Sequence, residues 1–337
     1  MSDGYLRSRN GKMGYGLMRY SENPISCVIA SDEIGESVRE ITGIDIDVPI
    51  VANAQEARAF GADTLVIAVA TSGGVLPPAY RVEIISALRF GMNLVNGLHG
   101  RYNEDPDFAG ALQPGCWIWD VRREPTGLVS GRGRARALPA RRVLTVGTDM
   151  AIGKMTTSLE LDRAAKARGI RSKFLATGQI GICISGDGVP LDAVRVDFAS
   201  GAIEALCLKY GYDHEILWVE GQGSALHPGS TAWTPLLRGS MATDMVLVHR
   251  ANQQFVDELD DVAIPPLRRV IELYEAVAAA SSSFPAARVK AVALNCAKLS
   301  PAGIDAACKA VEAETGLVCV DPVFHGAERL LDAVLVD

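Results

Sequence analysis

A chain of 337 residues is longer than a single hydrophobic core usually grows, so the length predicts two domains. Hydrophobic residues make up 48% and charged residues 22% of the chain, a balance that excludes an intrinsically disordered protein. The net charge of −7 argues against a nucleic-acid or anionic-membrane surface, which needs a concentrated positive face. We therefore expect small-molecule partners, and neither nucleic acid nor membrane.

The start of the chain, MSDGYLRSRNGKMGYG, carries charges and glycines where a signal peptide needs an apolar run. No run of about eighteen apolar residues follows it. These features predict a cytoplasmic protein. The seven cysteines are scattered without a CxxC pair, which indicates reduced, packed thiols rather than disulfides or zinc ligands. No metal site is expected.

In the first part of the chain, short β-branched runs alternate with stretches of helical length, which is typical of βα units around a parallel sheet. Strands are predicted at 25–30, 64–70, 93–96 and 116–121, and helices at 32–42, 53–60 and 78–90. This order predicts a Rossmann-like domain over residues 1–130, although the GxGxxG fingerprint is absent. The loops 71–74 and 96–100 follow predicted strands, where open α/β sheets bind ligands.

Residues 122–142 contain seven arginines together with glycine, proline and serine, and hydrophobic periodicity lapses there. We interpret this segment as the domain junction, a solvated linker. The alternative is that some of these arginines reach a ligand phosphate.

The second domain, residues 131–337, is predicted to be a doubly wound parallel sheet of the P-loop NTPase type. Its predicted strands are 142–146, 173–177, 215–219, 245–249, 289–295 and 317–320. One helix is predicted to begin after the first strand and to end near residue 168. Further helices are predicted at 197–210, 265–280 and 301–315. Both domains together define an α/β fold.

The segment VLTVGTDMAIGKMTT is nearly a Walker A loop, because a β-branched strand runs into Gly147, five residues, Gly153-Lys154 and then a helix. Glycine N–H groups, the helix N-terminus and the lysine charge all favour a bound phosphate. The predicted phosphate-binding residues are Gly147, Thr148, Asp149, Gly153, Lys154, Thr156 and Thr157. The alternative is an ordinary tight turn.

Two departures from the Walker A pattern matter for its chemistry. Five residues, not four, separate the glycines, and Met155 stands where a Ser or Thr hydroxyl would bind Mg²⁺. We therefore expect the loop to bind phosphates without a normal Mg²⁺ site.

Two further segments carry candidate chemistry. A predicted strand delivers Glu220 to its carboxyl end, where a carboxylate acts as a Walker B acid or as a general base, and His227 follows in a loop. Glycines at 178–188 predict a flexible loop that presents N–H donors, with Gln179 and Arg195 as side-chain donors. The alternatives are a structural histidine and a plain surface connection. The sequence NCAK from Asn295 does not match the NKxD motif, so a GTPase is not indicated.

GTDMAIGKMTT and VEGQGSALHPG resemble the dethiobiotin-synthetase branch of P-loop proteins. With GKMGYGLMRYS, NLVNGLHG and TGQIGICISGDGVPLDAVRVDF, the whole chain resembles the D-glutamate N-acetyltransferase family. That resemblance implies a Rossmann-like domain, a P-loop domain, and acetyl transfer from acetyl-CoA to the amine of D-glutamate in D-amino acid catabolism. Such a reaction needs a cradle for CoA phosphates and no Mg²⁺-dependent phosphate cleavage, which accounts for Met155.

For this reaction we expect the amine to attack the thioester, with Glu220 as first and His227 as second choice of base. Glycine N–H groups of residues 178–188 would stabilise the oxyanion, and His99, Gln179 and Arg195 would bind the substrate carboxylates. A homo-oligomer is expected. The rival functions are an ATP-dependent ligase of the dethiobiotin-synthetase type and a non-catalytic nucleotide-binding switch.

Overall fold

The computed structural model describes residues 1–336, which fall into two compact units. The first unit contains Met1–Arg123 and Gln179–Ala193, and the second contains Glu124–Gly178 and the chain from Val194 onward. The sequence predicts two continuous domains, residues 1–130 and 131–337, and these bounds remain a prediction. It did not anticipate that residues 179–193 pack with the first unit.

The first unit is built on parallel strands. Its strands are β1 (Val28–Ile29), β2 (Ile50–Val51), β3 (Thr64–Ile67), β4 (Asn93–Asn96) and β5 (Ile118–Asp120). Strands β3, β4 and β5 form one parallel sheet in that order, and β1 pairs with β2. Alternate residues of β3, Leu65 and Ile67, are buried against Ile84 and Leu88, because successive strand side chains point to opposite faces.

The helices of the first unit flank these strands. They are α1 (Lys12–Tyr20), α2 (Val38–Thr42), α3 (Ala54–Ala59), α4 (Pro78–Arg89), α5 (Pro106–Ala111) and, from the returning segment, α7 (Gln179–Ser185). The prediction of a helix over 32–42 was wrong for its first half. Ile34 is extended and Gly35 has a φ of 87°, which interrupts the helix before the Ser37 cap of α2.

The second unit contains a six-stranded parallel sheet in the order β13-β12-β9-β6-β8-β7. Its strands are β6 (Arg141–Gly147), β7 (Ser172–Leu175), β8 (Ile216–Val219), β9 (Asp244–Arg250), β12 (Arg288–Asn295) and β13 (Val318–Val320). A separate antiparallel hairpin, which the sequence did not predict, consists of β10 (Phe255–Val256) and β11 (Leu259–Ala263).

Helices follow the strands of the second unit, as βα units require. They are α6 (Lys154–Ala167), α8 (Val196–Tyr210), α9 (Trp233–Ser240), α10 (Leu267–Ala278), α11 (Pro301–Thr315) and α12 (Glu328–Leu335). The core lies where Trp218, Val246 and Ala293 of the central strands meet α6 and α12. Among the helices described, none is long and apolar enough to cross a membrane.

The glycine-rich segment 178–188 is not the flexible loop that the sequence predicted. Residues Gln179–Ser185 form α7, with Gly181 and Ile182 buried in it. The helix ends before Gly186, whose φ is 72°, and Gly188, whose φ is 150°. A helix that packs an apolar face gains more from burial than it loses by containing one glycine.

A phosphate loop and a buried carboxylate

The Gly147–Thr157 segment lies at the carboxyl end of β6, which is flanked by β8 and β9 in the sheet. Ala151 has a φ of 51° and Gly153 a φ of 114°, so the backbone turns sharply before α6 begins at Lys154. No side chain caps the start of α6, and its first turn contains no acidic residue. The N–H groups and positive end of this 14-residue helix therefore favour an anion.

Side chains hold several carbonyl groups of the loop, three of them from outside the loop and one, Lys154, from within it. The bonds are Tyr274 Oη to Gly147 O (2.8 Å), Lys154 Nζ to Asp149 O (2.7 Å), Arg250 Nη2 to Ala151 O (3.1 Å) and Asn295 Nδ2 to Ile152 O (2.9 Å). In a planar trans peptide, the C=O of one residue and the N–H of the next point in opposite directions. A carbonyl that is held on one side of the loop therefore directs the next N–H to the other side. The arrangement favours N–H groups that converge on a phosphate.

Two predicted ligand residues, Thr148 and Asp149, are fully buried and brace the loop. Thr148 Oγ1 bonds His249 Nδ1 at 2.9 Å. The Asp149 carboxylate accepts hydrogen bonds from Met150 N, Gln253 Nε2 and Asp257 N at 2.6–2.7 Å. The side chain of Asp149 thus ties the loop to the segment that carries the β10–β11 hairpin. Thr157 is also buried, and its N–H donates to Gly153 O within α6.

The Lys154 residue is 5% exposed, and this burial lowers its pKa to about 8, against the opposing effect of Asp149 and Glu220. Its stem passes against Gly147 and Gly221. A Cβ at Gly221 would lie 1.7 Å from Thr145 O and 3.0 Å from Lys154 Cδ. The glycine of the VEG sequence is therefore required for the lysine and the two strands to approach closely.

Glu220 follows β8, the neighbour of β6, and is 5% exposed. Its Oε2 accepts hydrogen bonds from Thr177 N at 2.8 Å and Gly178 N at 3.1 Å. Burial raises the pKa of Glu220 to about 7, although these two N–H groups and the Lys154 ammonium lower it. A carboxyl group with this pKa exchanges a proton near neutral pH, as a general base requires.

The Glu220 contacts also bear on the predicted oxyanion role of residues 178–188. The Gly178 N–H is already bonded to the Glu220 carboxylate. The following glycine, Gly181, lies inside α7, where the backbone is helical. The Gly178 N–H is therefore committed to Glu220, and the predicted oxyanion role of the other N–H groups of residues 178–188 stays a prediction.

His227 lies on the loop after β8, where it is partly exposed. Its Nδ1 accepts a hydrogen bond from Gly229 N at 3.0 Å, which leaves the proton of the neutral ring on Nε2. Within the described part of the chain, no hydrogen bond joins His227 to Glu220 or Lys154. The structure therefore brings Glu220 and Lys154 together and favours Glu220 as the base.

The three predicted substrate-binding residues lie apart in the chain. His99 follows β4, and Gln179 begins α7 with its Cγ close to Gly97, both in the first unit. Arg195 lies in the second unit, where its Nε bonds both Glu124 oxygens at 3.0 Å. Its guanidinium also lies 4.8 Å from the centre of the Phe198 ring. Glu124 and Phe198 are therefore the partners of Arg195 in this structure. These contacts do not support its predicted role in substrate binding.

Sequence reasoning missed the residues that hold the loop from outside, among them Tyr274, His249 and Asn295. Burial lowers the pKa of His249 to about 4, with a smaller effect of Arg250, so its ring is neutral at physiological pH. His249 lies at the end of β9, next to the loop strand β6, and Asn295 ends β12, one strand further from it. Both residues end strands that the sequence predicts, and this signal was present in the sequence. Tyr274 comes from α10, and no local pattern marks it.

We expect Tyr274→Phe to lower the free energy of unfolding by about 1–3 kcal/mol, because two buried hydrogen bonds are lost. The hydroxyl donates to Gly147 O and accepts from Ala225 N at 2.9 Å, and the side chain is fully buried. Urea denaturation measures the change, with the exposed Tyr212→Phe as control. Equal stability of the two variants would contradict the bracing role.

The raised pKa of Glu220 makes stability depend on pH. Between its ordinary pKa of 4.5 and its folded value of about 7, the folded protein keeps a proton that the unfolded chain has lost. The free energy of unfolding therefore falls as pH rises through this window, by up to about 3 kcal/mol. We expect Glu220→Gln to lack this decline, so that the stability difference between variant and wild type grows from pH 4.5 to 7. Parallel stability profiles would contradict the assignment.

Comparisons with known proteins agree with this architecture. The family model described as "Domain of unknown function (DUF1611_C) P-loop domain" matches residues 129–331, and the DUF1611_N Rossmann-like domain matches residues 31–124. A crystal structure of a DUF1611 family protein from Anabaena variabilis ATCC 29413 is 53% identical, with a TM-score of 0.96 over 99% of this chain and 98% of that chain. The predicted fold class is confirmed.

Two curated relatives carry the name D-glutamate N-acetyltransferase. The protein from Tritonibacter scottomollicae is 38% identical over 83% of each chain. The protein from Pseudoalteromonas sp. is 36% identical over 82% of each chain. By these matches over both domains, the chain belongs to the D-glutamate N-acetyltransferase family, with the Rossmann-like and P-loop domains of DUF1611.

Proposed function

We propose that this protein is an N-acetyltransferase that moves the acetyl group of acetyl-CoA to the amine of D-glutamate, a reaction of D-amino acid catabolism. The observation that carries the proposal is the pairing of a phosphate loop with a buried carboxylate whose pKa is about 7. The names of the two relatives support the acceptor and the transferred group.

The residues of the loop suit a CoA phosphate. Lys154 supplies a positive charge, and the uncapped start of α6 supplies N–H donors. Met155 replaces the hydroxyl that would bind Mg²⁺, and a CoA phosphate that is only held needs no such ligand. Acetyl-CoA supplies the thioester, from which the CoA thiolate leaves, and the loop residues would hold a CoA phosphate.

In the proposed reaction the D-glutamate ammonium first loses a proton to Glu220, whose Oε1 accepts no hydrogen bond from the described residues. The amine nitrogen then attacks the thioester carbon, so that the N–C bond forms and the C–S bond breaks. The sulfur leaves as a thiolate and takes up the second proton, which the attacking nitrogen loses, so that CoA and N-acetyl-D-glutamate form.

The test is to incubate the purified full-length protein with acetyl-CoA and D-glutamate, and to measure thiol release and N-acetyl-D-glutamate together. L-Glutamate serves as the matched acceptor control. In parallel, thermal shift compares acetyl-CoA, CoA and ATP with Mg²⁺, since a ligand at a hundred times its Kd adds about 2.7 kcal/mol of stability. Stabilisation by CoA compounds with product formation supports the proposal. Stabilisation by ATP with Mg²⁺ and phosphate release without acetyl transfer would favour the ligase.

A further inference from the structure

A group of basic residues lies in the first unit, near the carboxyl ends of β4 and β5. Arg122 follows β5, His99 follows β4, and Lys12 begins α1. Gly74, after β3, lies against the His99 ring, since a Cβ there would be 2.2 Å from His99 Cδ2. Open parallel sheets bind ligands at this edge.

Arg122 is the central residue of this group, which we call the Arg122 cluster: Lys12, His99, Arg122, Gln179 and Asp192. Its Nη1 donates to His99 Nε2 and lies 3.2 Å from Asp192 Oδ2. An arginine only donates, so the neutral His99 ring carries its proton on Nδ1. The Arg122 side chain is 13% exposed.

The other edge of this guanidinium is not used within the described residues. Arg122 Nε is buried without a hydrogen-bond partner, and Nη2 donates to no described group. An unpaired buried donor costs about 1–3 kcal/mol, so it calls for an explanation. The Nε–Nη2 edge is one by which arginine binds a carboxylate through two parallel hydrogen bonds.

Electrostatics at this edge also favour an anion. The Lys12 ammonium has a pKa lowered by burial and by the positive charges of Arg9 and Arg122. Burial likewise lowers the pKa of Arg122, against the opposing charge of Asp192. These cations lie together in a chain whose net charge is −7, and a bound anion would relieve their repulsion.

Gln179 lies beside Gly97, which follows the carboxyl end of β4. Its Cγ lies 3.6 Å from the position of a Cβ on Gly97, and that Cβ would also lie 2.8 Å from Met13 Cε. Glycine at 97 therefore allows α1, β4 and α7 to approach one another. The amide group of Gln179 supplies hydrogen bonds without a charge.

We propose that the Arg122 cluster binds a carboxylate of the acyl acceptor, with Arg122 as the principal ligand and Lys12 as a second charge. The inference rests on the proposed function, because the acceptor named for the relatives is a dicarboxylic amino acid. Arg122 is then a residue that determines specificity for acidic over neutral amino acids.

The test is isothermal titration calorimetry of the full-length protein with glutarate, D-glutamate, inorganic phosphate and CoA. Glutarate has both carboxylates and no amine, so it reports binding without any reaction. We expect Arg122→Gln to weaken glutarate and D-glutamate binding at least about tenfold and Arg122→Lys to weaken it less, with CoA binding unchanged. Arg58→Gln removes the same charge from an exposed position on α3 and should change nothing.

Lys12→Gln gives an independent measurement at the first residue of α1, and it tests the inference if Arg122→Gln does not fold. We expect it to weaken glutarate binding about threefold or more. Unchanged glutarate and D-glutamate binding in the Arg122 and Lys12 variants would overturn the inference, even if the wild type acetylates D-glutamate. Loss of CoA or phosphate binding instead of glutarate binding would also overturn it. Glutarate binding that depends on Arg122, in a protein without acetyl transfer, would uphold this site and refute the proposed function.

Discussion

Glu220→Gln is expected to lower kcat by about 10²- to 10⁴-fold, because glutamine keeps the size of the side chain but cannot take the proton of the amine. The amide oxygen can still accept the Thr177 and Gly178 hydrogen bonds that the Oε2 atom accepts in the wild type. The KM for acetyl-CoA should therefore change little. Steady-state kinetics with both substrates measures this separation.

The pH profile gives an independent measure of the same residue. The pKa of Glu220 is about 7 in the free protein, so kcat/KM of the wild type should fall as pH drops below about 7. The Gln variant should lack this acidic limb. Glu215→Gln is the matched control, since Glu215 immediately precedes β8 and is exposed. The Glu215→Gln variant should keep the wild-type kcat and the acidic limb of the pH profile.

Near wild-type turnover in Glu220→Gln, with the same acidic limb, would move the role of base to His227. His227→Asn would then be the next variant to measure. If Glu220 instead served a metal site, changing the divalent ion would restore activity to the Gln variant.

Lys154→Ala is expected to raise the KM for acetyl-CoA by roughly 10- to 100-fold, because it removes a charge-assisted hydrogen bond to phosphate. The ammonium lies at the start of α6 and donates to Asp149 O in this structure. Calorimetry with CoA separates the loss of binding from any effect on the chemical step. Lys166→Ala, in the last turn of the same helix, removes an equal charge from an exposed position.

The same variant should change the titration of Glu220. The Lys154 ammonium lowers the pKa of Glu220, so its removal should move the acidic limb of kcat/KM to higher pH. An unchanged KM for acetyl-CoA in Lys154→Ala would refute the phosphate-binding role. An unmoved limb with a raised KM would show that the two residues are independent.

The sequence by itself determined the parts of this protein that depend on local pattern. The spacing of Gly147, Gly153 and Lys154 after a β-branched strand predicted the loop and α6, because glycine geometry and helix starts are local properties. The place of Glu220 at the end of β8 followed from strand patterning alone. Met155 has no hydroxyl, so the sequence alone also indicates that the Ser or Thr ligand of Mg²⁺ is missing from the loop.

Only the tertiary structure decided which distant residues support that loop. Tyr274 lies 127 positions from Gly147, and Asn295 lies 143 positions from Ile152, so neither contact leaves a periodic signal. Burial is also a property of the folded chain. It raises the pKa of Glu220 towards 7 and leaves the Arg122 Nε without a partner, and neither effect can be derived from residue type or spacing. Residues Gln179–Ser185 form a helix although glycine disfavours helices, because tertiary packing outweighs intrinsic helix propensity. The sequence pattern does not contain that packing.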